Sequence, residues 1–259
     1  MITLKCFDAK EPSNTNGDRR SYGNNRYSQS NIDQWLNSQA ASWYSARHSY
    51  DAPPSNANVW NNYNEYDTEA GFLSNFEADY RNAILDAVIR VAKNTVTDGG
   101  GYEDITRKVF LLSNTEVGLS NENSVAEGAL WSYFSSAARR QCYPTAEAVS
   151  NSEYTNSSLN ASSYWYWWLR TPYASYAYIA RFVYTDGSLN NGDAYYGNYG
   201  VRPAFFVESG ITLSVEPDQV ELSTSALLAE FTSKQLAEEV LRRIAEGQED
   251  GDDNEEDDF

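Results

Sequence analysis

Two cysteines, one histidine and one methionine are all that a chain of 259 residues carries of these types, and 19 basic side chains face 37 acidic ones. Cys6 and Cys142 lie far apart in sequence, which excludes a disulfide framework and makes two free thiols the expected state. The lone histidine, His48, rules out His-cluster metal sites and histidine-rich catalysis by arithmetic, and its position between Arg47 and Ser49 reads as a solvated loop residue. A formal net charge of −18 repels phosphate backbones and anionic lipid surfaces, so no nucleic-acid partner is expected. No apolar run reaches the roughly 18 residues of a membrane span, and Met1 to Lys10 has neither a basic start nor a long apolar stretch. No membrane insertion and no visible signal peptide follow from this.

What is abundant is aromatic and polar. The chain holds 20 tyrosines and 7 tryptophans within a 41% apolar composition, enough for a core and one main domain. Ile2 to Phe7 alternates as a short strand and ends at a turn-rich stretch from Glu11 to Gly17. Ile32, Trp35 and Leu36 fall at helical spacing behind a capping Ser30. Ser42 to Asp67, rich in Asn, Ser, Tyr and Pro, reads as a long surface excursion. Ser74 and Glu77 have capping-box spacing, and Tyr80, Ile84 and Val88 predict a helix behind them. Val91 to Thr97 and Thr106 to Leu112 read as strands joined through Gly99-Gly100-Gly101, with helical signals at Ser124 to Phe134 and Thr145 to Asn151. Further strands are expected at Trp167 to Arg170, Ile179 to Tyr184 and Val201 to Val207. The Asp186-Gly187 turn would join the last two as a hairpin. Thr232 and Gln235 mark a helix with Leu236, Val240 and Ile244 on one stripe, stopped by Gly247, and the acidic final twelve residues should be disordered.

Candidate chemistry is sparse. Asp and Glu are plentiful enough for a glycosidase pair, but no carboxylate pair sits where one pKa would be raised. Asp98-Gly99-Gly100-Gly101 lacks the lysine and hydroxyl of a phosphate loop and reads as a turn. Calcium would suit so many oxygen ligands, yet no helix-loop-helix spacing is present. No cofactor, metal ligand or catalytic residue is therefore assigned.

The aromatic region differs in kind. Between Tyr164 and Val207, 9 of the 20 tyrosines share 44 residues with Asn, Ser, Asp and Gly. Tyrosine offers a large amphipathic face at low entropic cost, and Ser, Asn and Gly supply adaptable hydrogen bonds, as in antibody paratopes. Trp167, Trp168, Leu169, Phe182, Val183, Phe205 and Phe206 are assigned to the core. The ligand-binding candidates before the turn are Tyr164, Tyr166, Tyr173, Ser175, Tyr176, Tyr178 and Tyr184. Those after it are Asn190, Asn191, Asp193, Tyr195, Tyr196, Asn198 and Tyr199. The tyrosines among them are expected to be exposed, because buried hydroxyls would need many partners.

The ordered series Ser30-Asn31-Ile32-Asp33-Gln34-Trp35-Leu36-Asn37, Thr68-Glu69-Ala70-Gly71-Phe72-Leu73, Val109-Phe110-Leu111-Leu112-Ser113, Trp167-Trp168-Leu169-Arg170-Thr171-Pro172 and Gly200-Val201-Arg202-Pro203-Ala204 resembles a bacterial and bacteriophage domain family of unknown function. Its relatives have a C-type-lectin-like fold. The family is similar to the variable proteins of diversity-generating retroelements, whose adenine-directed mutagenesis turns Asn codons mostly into Asn, Tyr, Ser, Asp, Gly and Ala. The resemblance implies an α+β fold, with two helices packed on a small, mostly antiparallel twisted sheet with long irregular loops, plus a C-terminal helix. It implies a binding domain at 1–210, an extension with an amphipathic helix at 211–247 and an acidic tail at 248–259. Arg170 and Arg202 would close the scaffold, and the tyrosine-rich loops between them would meet a protein or glycan receptor. Such a module would be non-enzymatic, phage-borne, and displayed on a virion or bacterial cell surface after a cytoplasmic stage. The calcium-binding Glu-Pro-Asn and Trp-Asn-Asp motifs of animal lectins are absent. Two other readings are an oxidase like the formylglycine-generating enzymes, using the cysteines, and a structural virion component whose C-terminal helix docks on an assembly partner.

Overall fold

Ser30 caps its helix as expected, its hydroxyl accepting the Asp33 N–H at the start of a helix over Asn31–Leu36. Such a cap contributes about 1 kcal/mol relative to alanine. The computed structural model describes residues 1–207. It is a mixed α+β arrangement whose helices are short: α1 (Gly17–Tyr22), α2 (Asn31–Leu36), α3 (Ala78–Ala83), α4 (Ala137–Arg140) and α5 (Ala146–Ser150). The strands are β1 (Thr3–Leu4), β2 (Ala87–Ala92), β3 (Tyr102–Arg107), β4 (Val109–Leu111), β5 (Trp167–Pro172), β6 (Ile179–Val183), β7 (Leu189–Asp193), β8 (Gly200–Val201) and β9 (Pro203–Phe205). A curled, half-barrel sheet runs β1-β8-β5-β6-β7, antiparallel except where β5 meets β8. The ladders β2-β3 and β4-β9 stand beside it. β5 is its middle strand and every residue of it is buried.

Several predicted elements are cut short by tertiary pairing. The helix predicted through Val88 stops at Ala83, because Leu85 donates its N–H to Phe206 O and Ile84 bridges to Val207. Ser74 does not cap it, since its hydroxyl donates to Gly71 O within a 3-10 turn over Phe72–Asn75. Val88 lies on β2 instead. The predicted strand Thr106 to Leu112 breaks in two where Asn37 Oδ1 accepts the N–H groups of both Lys108 and Val109. Val201 to Val207 splits at Pro203, β8 joining the main sheet and β9 pairing with β4. The Asp186-Gly187 turn joins β6 to β7, not to the Val201 to Val207 strand expected as its partner. Val91 to Thr97 is strand only as far as Ala92, and Ser124 to Phe134 is helical only in a 3-10 turn over Ser132–Phe134. The Thr145-capped helix forms as α5. Gly99, Gly100 and Gly101 all have φ between 66° and 76°, a left-handed run that costs a residue with a side chain roughly 1–2 kcal/mol at each position. The predicted C-terminal helix and the acidic tail lie outside the described residues.

The Ser42 to Asp67 excursion has little regular structure but is packed rather than loose. Trp43, Val59 and Tyr66 are buried, with Trp43 stacked on Tyr66 at 5.3 Å. Arg47 from this excursion and Arg107 from β3 both pair with buried Asp33. His48 is not a solvated residue: its side chain is largely buried, with Nε2 3.2 Å from Glu11 Oε1 at an angle too poor for a hydrogen bond. Phe206 is the other correction to the assigned core, 44% exposed at the end of its strand, while Phe205 is half-buried.

Beneath the excursion, Asp8 and Glu11 are buried and Asp51 is half-buried. Asp8 accepts the Asn24 and Asn31 N–H groups at 2.9 Å each. Burial, with repulsion from Glu11 and Asp51, still pushes Asp8 well above the usual carboxylate range, and burial raises Glu11 and Asp51 as well. A carboxyl raised on folding stabilises the fold below its unfolded pKa and loses that contribution as pH climbs through the folded one. Unfolded carboxyls titrate near 4, so the melting temperature is expected to fall as pH rises from about 5 to 8. Differential scanning calorimetry checks this, with Asp51→Asn expected to flatten the slope. A melting temperature that climbs across that window contradicts it.

Candidate functional site

The tyrosine-rich segment lies on β6, β7 and the connections around them, and its rings touch one another. Tyr173 meets Tyr176 at 5.2 Å, Tyr176 meets Tyr178 at 5.8 Å, and Tyr195 stacks on Tyr196 at 5.1 Å. Rings from elsewhere join these into one belt. Tyr22, at the end of α1, bridges Tyr178 (4.9 Å) and Tyr195 (5.7 Å). Trp60, from the excursion, meets Tyr196 at 5.2 Å and leads through Tyr63 and Tyr154 to Trp165 and Tyr166. Tyr166 lies parallel to Tyr184, within 2° at 6.3 Å. Sequence reading missed Tyr22, Trp60, Tyr63 and Tyr154, which sit outside the dense segment and have no local signal of their own.

Exposure along the belt is uneven. Tyr164, Tyr176 and Tyr184 are exposed, together with Ser175, Asn190 and Asn191. Tyr166, Tyr173, Tyr178, Asp193, Tyr195, Tyr196 and Tyr199 are only half-exposed, which corrects the expectation of fully exposed rings. Each tyrosine among them packs against at least one neighbouring ring. Tyr199 is wedged between Trp168 (4.2 Å) and Tyr166 (4.5 Å), with Tyr196 beyond it at 5.9 Å. Asn198 is corrected outright: it is buried, donating to the Tyr166 hydroxyl while its carbonyl accepts the Trp165 indole N–H. It supports the belt from within.

A buried polar frame holds the loops. Asn25 donates its side-chain amide to the carbonyls of Tyr176 (2.7 Å), Ile179 (2.8 Å) and Tyr173 (3.4 Å), fixing the turn between β5 and β6 from beneath. Asn94 donates in turn to Asn25 Oδ1, and Arg19 Nε donates to Ala177 O. Glu122 accepts the Ala174 N–H and pairs with Arg181. After β7, Tyr195 donates its N–H to Tyr22 O and accepts the Trp60 N–H at its carbonyl, both at 3.0 Å. Side chains on such a backbone are pre-organised, which reduces the entropy lost on binding. Burial pushes the phenols of Tyr166, Tyr178, Tyr195 and Tyr199 upward and Tyr196 up to about 12, so these hydroxyls are neutral donors at physiological pH.

At the far end of the belt lies an open groove of about 580 Å³, lined by Tyr164, Trp165, Tyr166 and Tyr184 on its aromatic side and by Gln141, Asn156 and Asp186 among its polar groups. Hydrogen bonds from Ser188 hold the Asp186 carboxyl below the usual range. Among the described residues, no three His, Cys, Asp or Glu side chains are arranged to hold a metal ion, and no helix is long and apolar enough to cross a membrane. Cys6 and Cys142 are both buried, and burial pushes the Cys6 thiol upward, away from the thiolate that redox chemistry uses.

Arg170 and Arg202, scaffold residues by the resemblance, are both buried. Arg170 pairs with Glu116 and Arg202 lies over the rings of Phe134 (4.9 Å) and Trp167 (5.0 Å). Comparison with curated proteins and with solved structures finds no match. A family model described as a domain of unknown function, DUF6273, matches residues 2–209, which takes in the whole belt and its frame. The chain belongs to the DUF6273 family.

Proposed function

We propose that this protein is a non-enzymatic receptor-binding module with a C-type-lectin-like scaffold, whose tyrosine belt meets a protein or glycan on another surface. The observation that carries this reading is the pairing of a continuous run of half-exposed rings with a backbone frozen from below by Asn25, Asn94, Arg19 and Glu122. A core needs no such series of partly exposed rings, whereas a recognition surface gains from large rigid aromatics that lose little entropy. The composition of the loops, rich in Tyr, Asn, Ser, Asp and Gly, supports descent from a retroelement-diversified variable protein. By the same reasoning the module is displayed on a virion or bacterial cell surface.

Labelled protein is expected to bind intact cells of at least one strain in a bacterial panel. Tyr176→Ala removes a ring that is 43% exposed and should weaken that binding about tenfold. Its stability cost stays within about 1.5 kcal/mol, the range of a lost aromatic pair. Absence of cell binding, or full binding by the variant, overturns the reading.

A further inference from the structure

The groove at the far end of the belt carries a narrower conclusion, which rests on the reading of the tyrosine face as a binding surface. We propose that this groove takes a neutral oligosaccharide, seating pyranose rings against Tyr166 and Tyr184 without a bound cation. Its volume of about 580 Å³ falls among pockets that hold drug-sized ligands, the size of a di- or trisaccharide. Tyr166 and Tyr184 are parallel within 2°, and both line the groove. The C–H bonds on a pyranose face carry partial positive charge and lie well over the negative face of an aromatic ring. Tyr166 is already immobilised, stacked on Trp165 at 4.3 Å with its hydroxyl held by Asn198 at 3.0 Å, so little is left to order when a sugar arrives. Tyr184 is 42% exposed and supplies the open side.

The polar rim decides which sugars enter. Gln141 and Asn156 bring planar amides and Asp186 a carboxylate, groups able to share hydrogen bonds with neighbouring hydroxyls of one ring. Among the described residues no lysine or arginine lines the groove, and Asp186 is ionised at neutral pH. A uronic acid, sialic acid, or sulfated or phosphorylated sugar would meet that charge without compensation, in a protein whose net charge is −18. Calcium takes six to eight oxygen ligands, commonly several of them carboxylates, and among the described residues this groove offers one carboxylate. Recognition therefore runs through ring stacking and direct hydrogen bonds.

The full chain, labelled and kept in EDTA, is tested on an array of neutral and acidic glycans, with hits titrated as free oligosaccharides. At least one neutral glycan is expected to bind and the acidic ones to be rejected. Tyr184→Ala should weaken the neutral hit about tenfold, while Val88→Ala, at a 73% exposed position on β2 away from the belt, stays within about twofold. Asp186→Asn, a surface change of the same shape, keeps the fold intact if Tyr184→Ala does not. It should admit acidic glycans that the wild type rejects. Binding of no neutral glycan, binding only with added calcium, preference for acidic glycans, or indifference to Tyr184→Ala overturns the proposal. Cell binding that persists through Tyr176 in that event leaves the broader receptor-binding reading standing, and its loss removes both.

Discussion

Arg170→Met is expected to destabilise the fold by about 3–5 kcal/mol, the cost of breaking a buried ion pair from one side. The guanidinium is fully enclosed and pairs with both Glu116 oxygens, with Nη2 3.0 Å from Oε1. It also donates to Arg90 O at 3.1 Å, Leu111 O at 2.9 Å and Glu127 O. One side chain thus ties the middle strand β5 to β2, to β4 and to the strap through Glu127. Methionine fills much of the volume but leaves a buried carboxylate and three carbonyls without these donors. Adding Glu116→Leu removes the stranded charge and should restore part of the loss, although the carbonyls remain unpaired. Urea unfolding of the single and double variants measures both. A single-variant cost below about 1 kcal/mol would falsify this account of β5.

Trp168→Ala is expected to cost about as much, 3–5 kcal/mol by the usual range for large buried aromatics. Its ring is fully buried, with Phe7 edge-on at 5.8 Å and Tyr199 stacked at 4.2 Å. Its indole N–H donates to Lys5 O at 3.0 Å, so the variant also leaves a buried carbonyl beside the cavity. For a domain of this size each kcal/mol corresponds to about 2–4 °C, which places the loss in melting temperature on the order of 10 °C. The consequence reaches the belt, because Tyr199 loses the surface it stacks on and stands between Tyr166 and Tyr196. Binding by the folded fraction should therefore weaken more than binding by Arg170→Met at equal fraction folded. Equal losses would mean that Tyr199 has no role in ordering its neighbours.

Local features were the most legible. Ser30 caps the helix expected of it, the helical signal at Thr145 to Asn151 becomes α5, and Asp186-Gly187 turns a hairpin. The hairpin's second strand went unread because Leu189-Asn190-Asn191-Gly192-Asp193 has almost no strand propensity, and its pairing with β6 supplies what the residues lack. The helix predicted from Tyr80, Ile84 and Val88 failed for the converse reason. Its spacing is sound, but the backbone at Leu85 gains a partner in Phe206 that a helix would deny it. The Ser124 to Phe134 stretch was drawn away from helix by the same competition. Its Glu127 side chain accepts the Ala92 N–H and bonds Thr171, while its carbonyl meets Arg170.

The tyrosine density, the acidic balance, the scarcity of cysteine and histidine, the Ser30 cap and the Asp186-Gly187 turn were readable from the order of residues. Each depends on composition or on neighbours a few positions apart. Which rings share a surface was decided only by folding. Tyr22, Trp60, Tyr63 and Tyr154 reach the belt from three separate stretches of chain, and Asn198, in the middle of the dense segment, turns inward to hold Tyr166. Stacking is a short-range interaction, so a ring's partners are those that the sheet and the buried Asn25 and Arg170 networks bring within about 4.5–7 Å, whatever their distance along the sequence.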